Sequence, residues 1–97
     1  MTRTEHLLTI LSEECAEVSQ RVSKALRFGL GEVQAGQDKT NAERITDEMD
    51  DLVSVFRMLV GAGAVPANSQ PAMLAKVERV ERYLQKSAAL GTLEVAA

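Results

Sequence analysis

Two short acidic segments hold the residues of this sequence that are best suited to chemistry. Their carboxylates belong to Glu13, Glu14 and Glu17 in the first segment and to Asp47, Glu48, Asp50 and Asp51 in the second. Mg²⁺ prefers oxygen ligands and keeps several water molecules, so paired carboxylates suit it, with Mn²⁺ as a possible substitute. A bound divalent ion can polarise a phosphoryl oxygen, activate water and neutralise a leaving group. Such chemistry needs no nucleophilic side chain.

The spacing of these acids predicts one carboxylate pair on each of two helices. At about 100° per residue, Glu14 and Glu48 each lie roughly 60° from the centre of the apolar stripe of their helix. Glu17 and Asp51 lie about 60° further round on the same flanks, whereas Glu13 points almost away from the core. Like charges at this spacing repel, and half-buried carboxylates lose solvation. The pattern therefore predicts a divalent metal site between the two helices.

A purely structural explanation of these acids stays open. Acidic side chains on helix surfaces are usually solvated, and a carboxylate near a helix start interacts favourably with the helix dipole. Two matched pairs at the edges of the core favour a metal site, but their spacing alone does not name a reaction.

The first acidic pair is predicted to lie on a long helix over about residues 4–28. Thr2 and Glu5 have the spacing of a capping box, and Gly29 suits the C-terminal end of the helix. The predicted core stripe repeats at three- and four-residue spacing and consists of Leu7, Leu11, Val18, Val22 and Ala25. Residues 30–39 contain glycines and polar residues and are expected to form a loop.

A second helix is predicted to begin at Thr40, which again has a capping-box partner in Glu43. Its core stripe is predicted to be Ile45, Met49, Leu52, Phe56, Leu59 and Val60. A shorter third helix is expected from Ser69 to about residue 87, followed by a flexible tail over residues 88–97. The predicted fold class is therefore all-α, with two long antiparallel helices and a shorter third one.

The length of 97 residues predicts a single domain over residues 1–97. A chain of this size buries limited surface on its own, so association is expected. Pairing two of the helical hairpins would complete a four-helix bundle, with a site between facing helices. The expected assembly is a homodimer or a homotetramer.

Charge and composition argue against several classes of protein. The formal net charge is −3, without the basic character of a nucleic-acid binder. The single cysteine, Cys15, allows no internal disulfide and suits a reducing cytoplasm. The longest apolar stretch, residues 58–67, is about half the length that spans a bilayer. We expect a cytoplasmic protein without membrane or nucleic-acid partners.

Four segments form an ordered set of motifs. Glu13-Glu14-Cys15-Ala16-Glu17 is followed by Ser23-Lys24-Ala25-Leu26-Arg27-Phe28-Gly29, Thr40-Asn41-Ala42-Glu43-Arg44 and Glu48-Met49-Asp50-Asp51. The first and last resemble the E-E-x-x-E and E-x-x-D motifs of the MazG-like all-α nucleoside triphosphate pyrophosphohydrolases. The middle two look like segments of the short phage- and mobile-element-type members. The resemblance covers about residues 7–60, and the region after residue 62 matches only in being helical.

The resemblance implies hydrolysis of an NTP or dNTP between the α- and β-phosphates, giving the monophosphate and pyrophosphate, as in clearing the nucleotide pool. It also implies Mg²⁺ dependence and a dimer or tetramer. The metal ligands implied by motif position are Glu14, Glu17, Glu48 and Asp51. Glu13 matches the motif too and is assigned a supporting role, such as positioning a water molecule. The loop between the motifs is long for the family, and Asp50 stands where a small residue is common.

Basic residues follow the first acidic pair along its helix. Lys24 lies two turns beyond Glu17 on the same flank and could contact a triphosphate held by metal ions. Arg27 lies one turn further and is a second candidate for phosphate contact, although both residues also suit the dipole of a helix end. Phe28 is expected in the core rather than stacked on a base, and Asn41 is expected to cap the second helix rather than to recognise a substrate. Cys15 is expected to be a small buried residue.

Two other functions remain open from the sequence. The chain could be a non-catalytic helical dimerisation module whose acidic stripe binds a basic partner. It could also be a relative with narrow specificity, such as a phosphoribosyl-ATP pyrophosphohydrolase or a dUTPase-like enzyme. No set of residues for reading a nucleobase is identifiable in the sequence.

Overall fold

A computed structural model describes residues 1–94 and contains three helices in that range. They are α1 (Arg3–Phe28), α2 (Asn41–Gly61) and α3 (Gln70–Ala89). Residues 1–94 contain no strand, apart from an isolated bridge between Val33 and Thr40. The all-α prediction is confirmed at this level. The chain divides into two compact units, Met1–Pro66 and Ala67–Ala97.

The limits of α1 follow from local hydrogen bonds at its two ends. The Thr2 hydroxyl oxygen accepts a hydrogen bond from the Glu5 backbone N–H at 3.1 Å, which is one of the two bonds of the predicted capping box. At the other end, Gly29 adopts a φ of 98°. That backbone conformation favours glycine, and the Gly29 N–H donates to the Ala25 carbonyl at 2.8 Å.

The start of α2 leaves none of its first backbone donors without a partner. Thr40 accepts from the Glu43 N–H at 3.1 Å, and Glu43 Oε1 accepts from the Thr40 N–H at 3.0 Å, so the predicted capping box is complete. The N–H of Asn41 donates to the Glu32 carbonyl at 2.9 Å, and the next N–H donates to the Leu30 carbonyl at 3.0 Å. The loop thus supplies the acceptors that a helix start lacks.

The buried side chain of Asn41 ties this loop to the end of α1. Its Nδ2 donates to the Gly29 carbonyl at 2.9 Å and to Glu32 Oε1 at 3.2 Å. The prediction that Asn41 caps α2 is wrong, because Thr40 holds the cap position. Asn41 instead donates to a carbonyl that follows the end of α1, which also accepts from the Glu32 N–H at 3.4 Å.

Helices α1 and α2 pack against each other as an antiparallel hairpin. The first residue of α2, Asn41, lies beside Gly29 at the end of α1, and Glu48 lies beside Glu14 in the body of α1. Progress along α2 therefore runs backwards along α1. This arrangement brings the middle of each helix, where the acidic segments lie, to the same level.

A narrow seam between α1 and α2 forms the core of the first unit. The apolar residues buried among residues 1–94 are Leu7, Ala25 and Leu59. Val22 and Met49 are predicted core residues but remain 40% and 39% exposed, so these two predictions are wrong. Two helices meet along one line of contact, and side chains at the edge of each stripe stay open on one side.

The second unit contains α3, whose start matches the prediction. The Ser69 hydroxyl accepts from the Ala72 N–H at 3.3 Å, and proline is accommodated in the first turn. The helix continues to Ala89, where the Leu90 N–H donates to the Lys86 carbonyl at 3.0 Å. The helix therefore runs two residues past its predicted end at residue 87, and the last three residues of the predicted flexible tail, 95–97, lie outside the described residues.

The apolar residues of α3 are open to solvent. Leu74, Val77, Val80 and Leu84 recur at three- and four-residue spacing, and each is exposed. No residue of α3 is buried. None of the described helices combines the length and the apolar character needed to cross a membrane.

Candidate metal centre

Three of the predicted ligands converge in the middle of the α1–α2 hairpin. Glu14 and Glu17 come from α1, and Glu48 comes from α2. Each offers a carboxylate oxygen, and these oxygens all lie within 4.8 Å of one another. The i, i+3 spacing places the two glutamates of α1 on neighbouring parts of one helix face, and the antiparallel packing brings Glu48 to them. We call these three residues the acidic cluster.

Two oxygens of the acidic cluster are shielded from water. Glu14 Oε2 and Glu48 Oε2 are inaccessible to solvent and have no hydrogen-bond partner within residues 1–94. Glu17, the third member, is exposed. A buried carboxylate oxygen without a donor is unfavourable because it has lost water and gained nothing in exchange. The cluster therefore calls for a proton or a cation.

The surroundings of the cluster raise the pKa of two of its carboxyls. Burial is the largest cause for Glu14, followed by the negative charges of Glu17 and Asp51. Burial is again the largest cause for Glu48, followed by the adjacent Glu17 carboxylate and then the charge of Asp51. In both residues the pKa lies above its ordinary value of 4.5, because the charged form is desolvated and repelled.

The other predicted acidic residues, Asp51 and Glu13, lie outside the cluster. Asp51 is exposed and lies outside the 4.8 Å group, although its charge raises the pKa of both Glu14 and Glu48. Glu13 is exposed and is the weakest of the contributors to the raised pKa of Glu14.

Asp47 has a different role from its neighbours in the second acidic segment. It forms an ion pair with Lys39, whose Nζ lies 2.8 Å from Asp47 Oδ2. This pair raises the pKa of Lys39. Asp50 is exposed, and its backbone carbonyl accepts from the Ser54 hydroxyl at 2.7 Å.

The predicted phosphate-binding residues differ in their exposure. Lys24 is half-buried on α1, whereas Arg27 is exposed in the last turn. The Arg27 guanidinium lies over the ring of Phe28, with its Cζ 4.8 Å from the ring centroid. Phe28 itself is 50% exposed, so its predicted place in the core is wrong. It follows the seam at the very end of α1, where α2 has only begun.

Cys15 is also exposed, contrary to the prediction that it is buried. It follows Glu14 at the edge of the seam, and a hairpin of two helices leaves that flank open. The helical-wheel angle was a correct guide to position but not to burial.

Arg21 is a residue of this region that the sequence analysis did not single out. Its side chain is half-buried, and Nη1 is inaccessible to solvent without a hydrogen-bond partner in residues 1–94. Arg21 follows Glu14 by seven residues, which places the two within about 20° of each other around α1. The seven-residue spacing of Glu14 and Arg21 in the sequence already indicates that the two lie on the same face of α1.

Comparisons with models of known protein families, with curated proteins and with solved structures gave no match. The resemblance of the motifs to the MazG-like enzymes therefore rests on the residues themselves.

The residues of the acidic cluster fit a hard divalent cation. The donors are all carboxylate oxygens, which are the ligands that Mg²⁺ prefers, and two of them lack any partner in the described chain. The same cation would offset both the desolvation and the mutual repulsion that raise the pKa of Glu14 and Glu48. Soft ligands are absent from the cluster, so zinc or copper fits it less well.

Proposed function

We propose that the chain is a Mg²⁺-dependent nucleoside triphosphate pyrophosphohydrolase, with Mn²⁺ able to substitute. The observation that carries this proposal is the pair of shielded, unpartnered carboxylate oxygens of Glu14 and Glu48, whose side chains converge with that of Glu17 from two helices. Such a pair is unfavourable to the fold when both carboxylates are ionised, and a bound cation removes that cost without protonating them. The motifs shared with the MazG-like enzymes supply the reaction, cleavage of NTP or dNTP to monophosphate and pyrophosphate.

In this proposal Glu14, Glu17 and Glu48 hold the metal ion, with Asp51 as a fourth ligand at the rim. Bound there, Mg²⁺ would polarise a phosphoryl oxygen, activate a water molecule and neutralise the leaving pyrophosphate. The α1–α2 hairpin fixes the carboxylates and shields two of their oxygens from water. Glu13 is proposed to orient a water molecule from the exposed side of α1.

Lys24 and Arg27 are proposed to bind the substrate. Lys24 lies two turns beyond Glu17 at nearly the same helical angle, so its ammonium can reach phosphates that project along α1 from the cluster. Arg27 is further away, and its guanidinium already lies over Phe28. We therefore expect Lys24 to contribute more to substrate affinity than Arg27.

A homodimer or homotetramer is proposed as the working form, located in the cytoplasm. The open apolar residues of α3 and the narrow seam between α1 and α2 support association, because a small chain with so little buried surface gains stability from a partner. Completion of a four-helix bundle by a second hairpin would cover the exposed flank of Glu17.

The exposed apolar face of α3 also favours a second candidate, a non-catalytic dimerisation module. In that case the acidic cluster would be a surface for a basic partner, and divalent ions would have no specific effect. A third candidate is an enzyme of the same reaction class with one preferred substrate, such as phosphoribosyl-ATP or dUTP.

The test is a screen for pyrophosphate release from the eight common NTPs and dNTPs, from dUTP and from phosphoribosyl-ATP, with Mg²⁺, with Mn²⁺ and with EDTA. We expect pyrophosphate and the matching monophosphate to form with either ion and not with EDTA. Release from one nucleotide alone would identify the narrow-specificity enzyme. Absence of pyrophosphate from every substrate would overturn the proposal and leave the dimerisation module.

A further inference from the structure

Arg21 carries a buried donor with no acceptor. Its Nη1 is inaccessible to solvent and lacks a hydrogen-bond partner in residues 1–94. Arg21 also forms no ion pair with any carboxylate in that range. A guanidinium cannot escape this situation by losing its proton, because it stays charged throughout the physiological pH range. A shielded N–H without an acceptor is unfavourable, so an anion that reaches the half-buried guanidinium would find a site already partly stripped of water.

The position of Arg21 indicates where that anion comes from. Arg21 lies two turns beyond Glu14, displaced by about 10.5 Å along α1 and by about 20° around it. Its side chain therefore leaves the helix on the face that carries Glu14 toward α2. An anion whose one end is held by cations at the acidic cluster can extend along this face to the guanidinium.

We propose that Arg21 binds an oxyanion of a phosphate chain whose other phosphates are held at the acidic cluster. This inference rests on the proposed function for the chemical class of the ligand. A guanidinium presents several donors in a planar fork that matches the oxygens of a phosphate group. Because Arg21 is half-buried, its contact with a phosphate is screened less by water than one made by the exposed Arg27.

Binding of cations and direct binding of phosphate thus belong to different residues of α1. The carboxylates at Glu14 and Glu17 attract the cations that neutralise the phosphate chain. Arg21 then fixes the direction of that chain along α1. Lys24, three residues further on, would contact the same chain from its solvent side.

The experiment measures binding of inorganic tripolyphosphate to the full chain by calorimetry in the presence of Mg²⁺. The variants are Arg21→Met, which keeps length and removes charge, and Arg57→Gln as a control. Arg57 is exposed and lies half a turn away from Glu48 around α2. The Arg57→Gln substitution therefore removes the same charge from the opposite face of α2. We expect the Kd to rise roughly tenfold to a hundredfold in Arg21→Met and to stay within about twofold in Arg57→Gln.

Thermal melting and sedimentation of the same variants separate this role from a structural one. Removing an unpaired buried charge should leave the Arg21→Met chain folded and at least as stable without ligand. The rise in melting temperature that tripolyphosphate produces should shrink in Arg21→Met and not in Arg57→Gln. An unchanged Kd for tripolyphosphate in Arg21→Met would overturn the inference. This holds if the variant only melts at a higher temperature, and also if it changes oligomeric state through a lost contact with a second copy.

The outcome also distinguishes this inference from the proposed function. If the wild-type chain releases pyrophosphate from nucleotides but Arg21→Met binds tripolyphosphate normally, only the role of Arg21 fails. If no nucleotide is cleaved but tripolyphosphate binds through Arg21, the proposed reaction fails and the binding site stands. If tripolyphosphate does not bind the wild-type chain, the inference fails.

Discussion

Two glutamates of α2, Glu43 and Glu48, lie five residues apart and have opposite surroundings. Glu43 Oε1 accepts hydrogen bonds from the Thr40 N–H and hydroxyl, each at 3.0 Å, and these bonds lower its pKa. Glu48 Oε2 is buried without a partner, and burial beside other carboxylates raises its pKa. The negative charge of Glu43 stabilises the start of α2, whereas that of Glu48 is unfavourable in the middle of the helix.

This difference shows which carboxylate serves the fold. Glu43 completes a capping box, and its charge also suits the positive end of the helix dipole. Glu48 weakens the isolated hairpin, because its ionised form is desolvated and repelled by Glu14 and Glu17. A carboxylate that the fold does not need is a better candidate for ligand binding than one that it uses.

The largest expected effect is on catalysis. Glu48→Gln should lower pyrophosphate release by more than about a hundredfold, since loss of a group that only supports a metal ligand already costs about tenfold to a hundredfold. Glu43→Gln should keep activity within about twofold at a temperature where it is folded. Steady-state release of pyrophosphate from the best nucleotide measures both. Equal losses in the two variants would contradict the distinction.

Mg²⁺ should stabilise the wild-type chain against heat. At about tenfold above its Kd, the ion adds about 1.4 kcal/mol, or roughly 6 to 11 °C in Tm for a chain of this size. Glu43→Gln should retain this rise, and Glu48→Gln should lose it.

Calorimetry or circular dichroism measures this shift, with NaCl at matched ionic strength as the control for simple screening of the acids. A rise of the same size with NaCl would show that no specific ion site exists. It would favour the dimerisation module over the enzyme.

Loss of the cap should destabilise the hairpin without touching the metal site. Thr40→Ala removes the hydroxyl that accepts from the Glu43 N–H, at a cost of about 1 kcal/mol, or roughly 4 to 8 °C in Tm. Thr2→Ala removes the equivalent bond from α1 and should have a smaller effect, because only half of a capping box forms there. Equal Mg²⁺ affinity in both variants, measured by titration, would show that the cap acts on stability alone.

The smallest expected effect is a pH dependence that comes from Glu43. Its pKa is lower in the folded chain than the ordinary 4.5, so its charge adds stability above that value. This stability is lost as the pH falls through the lowered pKa of the folded chain. The wild-type Tm should therefore exceed that of Glu43→Gln at pH 6, and the gap should narrow below about pH 4.5. A gap that is constant down to pH 3 would contradict the role of the charge.

The sequence predicted those features that depend on neighbours along the chain. The cap residues Thr40 and Ser69 and the end of α1 at Gly29 are set within three or four residues, so their hydrogen bonds follow from local pattern. The helical angles of Glu14 and Glu48 are equally local, and the two residues do meet across the hairpin.

Burial was harder to predict because it depends on how many elements surround a helix. Val22, Phe28 and Cys15 lie close to the apolar stripe and would be covered in a bundle, but the seam of two helices leaves them open. The role of Asn41 depends on the Gly29 carbonyl, twelve residues away, and on the carboxylate of Glu32 in the loop. No spacing in the sequence states that such a bond will form.

The bond between Asn41 and Gly29 has a consequence for how the hairpin tolerates changes in length. This bond fixes the register of the two helices, because Glu48 lies a set number of residues after Asn41 along α2 and Glu17 a set number before Gly29 along α1. One helical turn advances 5.4 Å, more than the 4.8 Å within which one oxygen from each of the three carboxylates lies. Residues inserted at the tip of the loop, over 34–38, do not change this register, so the carboxylates stay together. Residues added between Asn41 and Glu48 change the count and move Glu48 away from its partners.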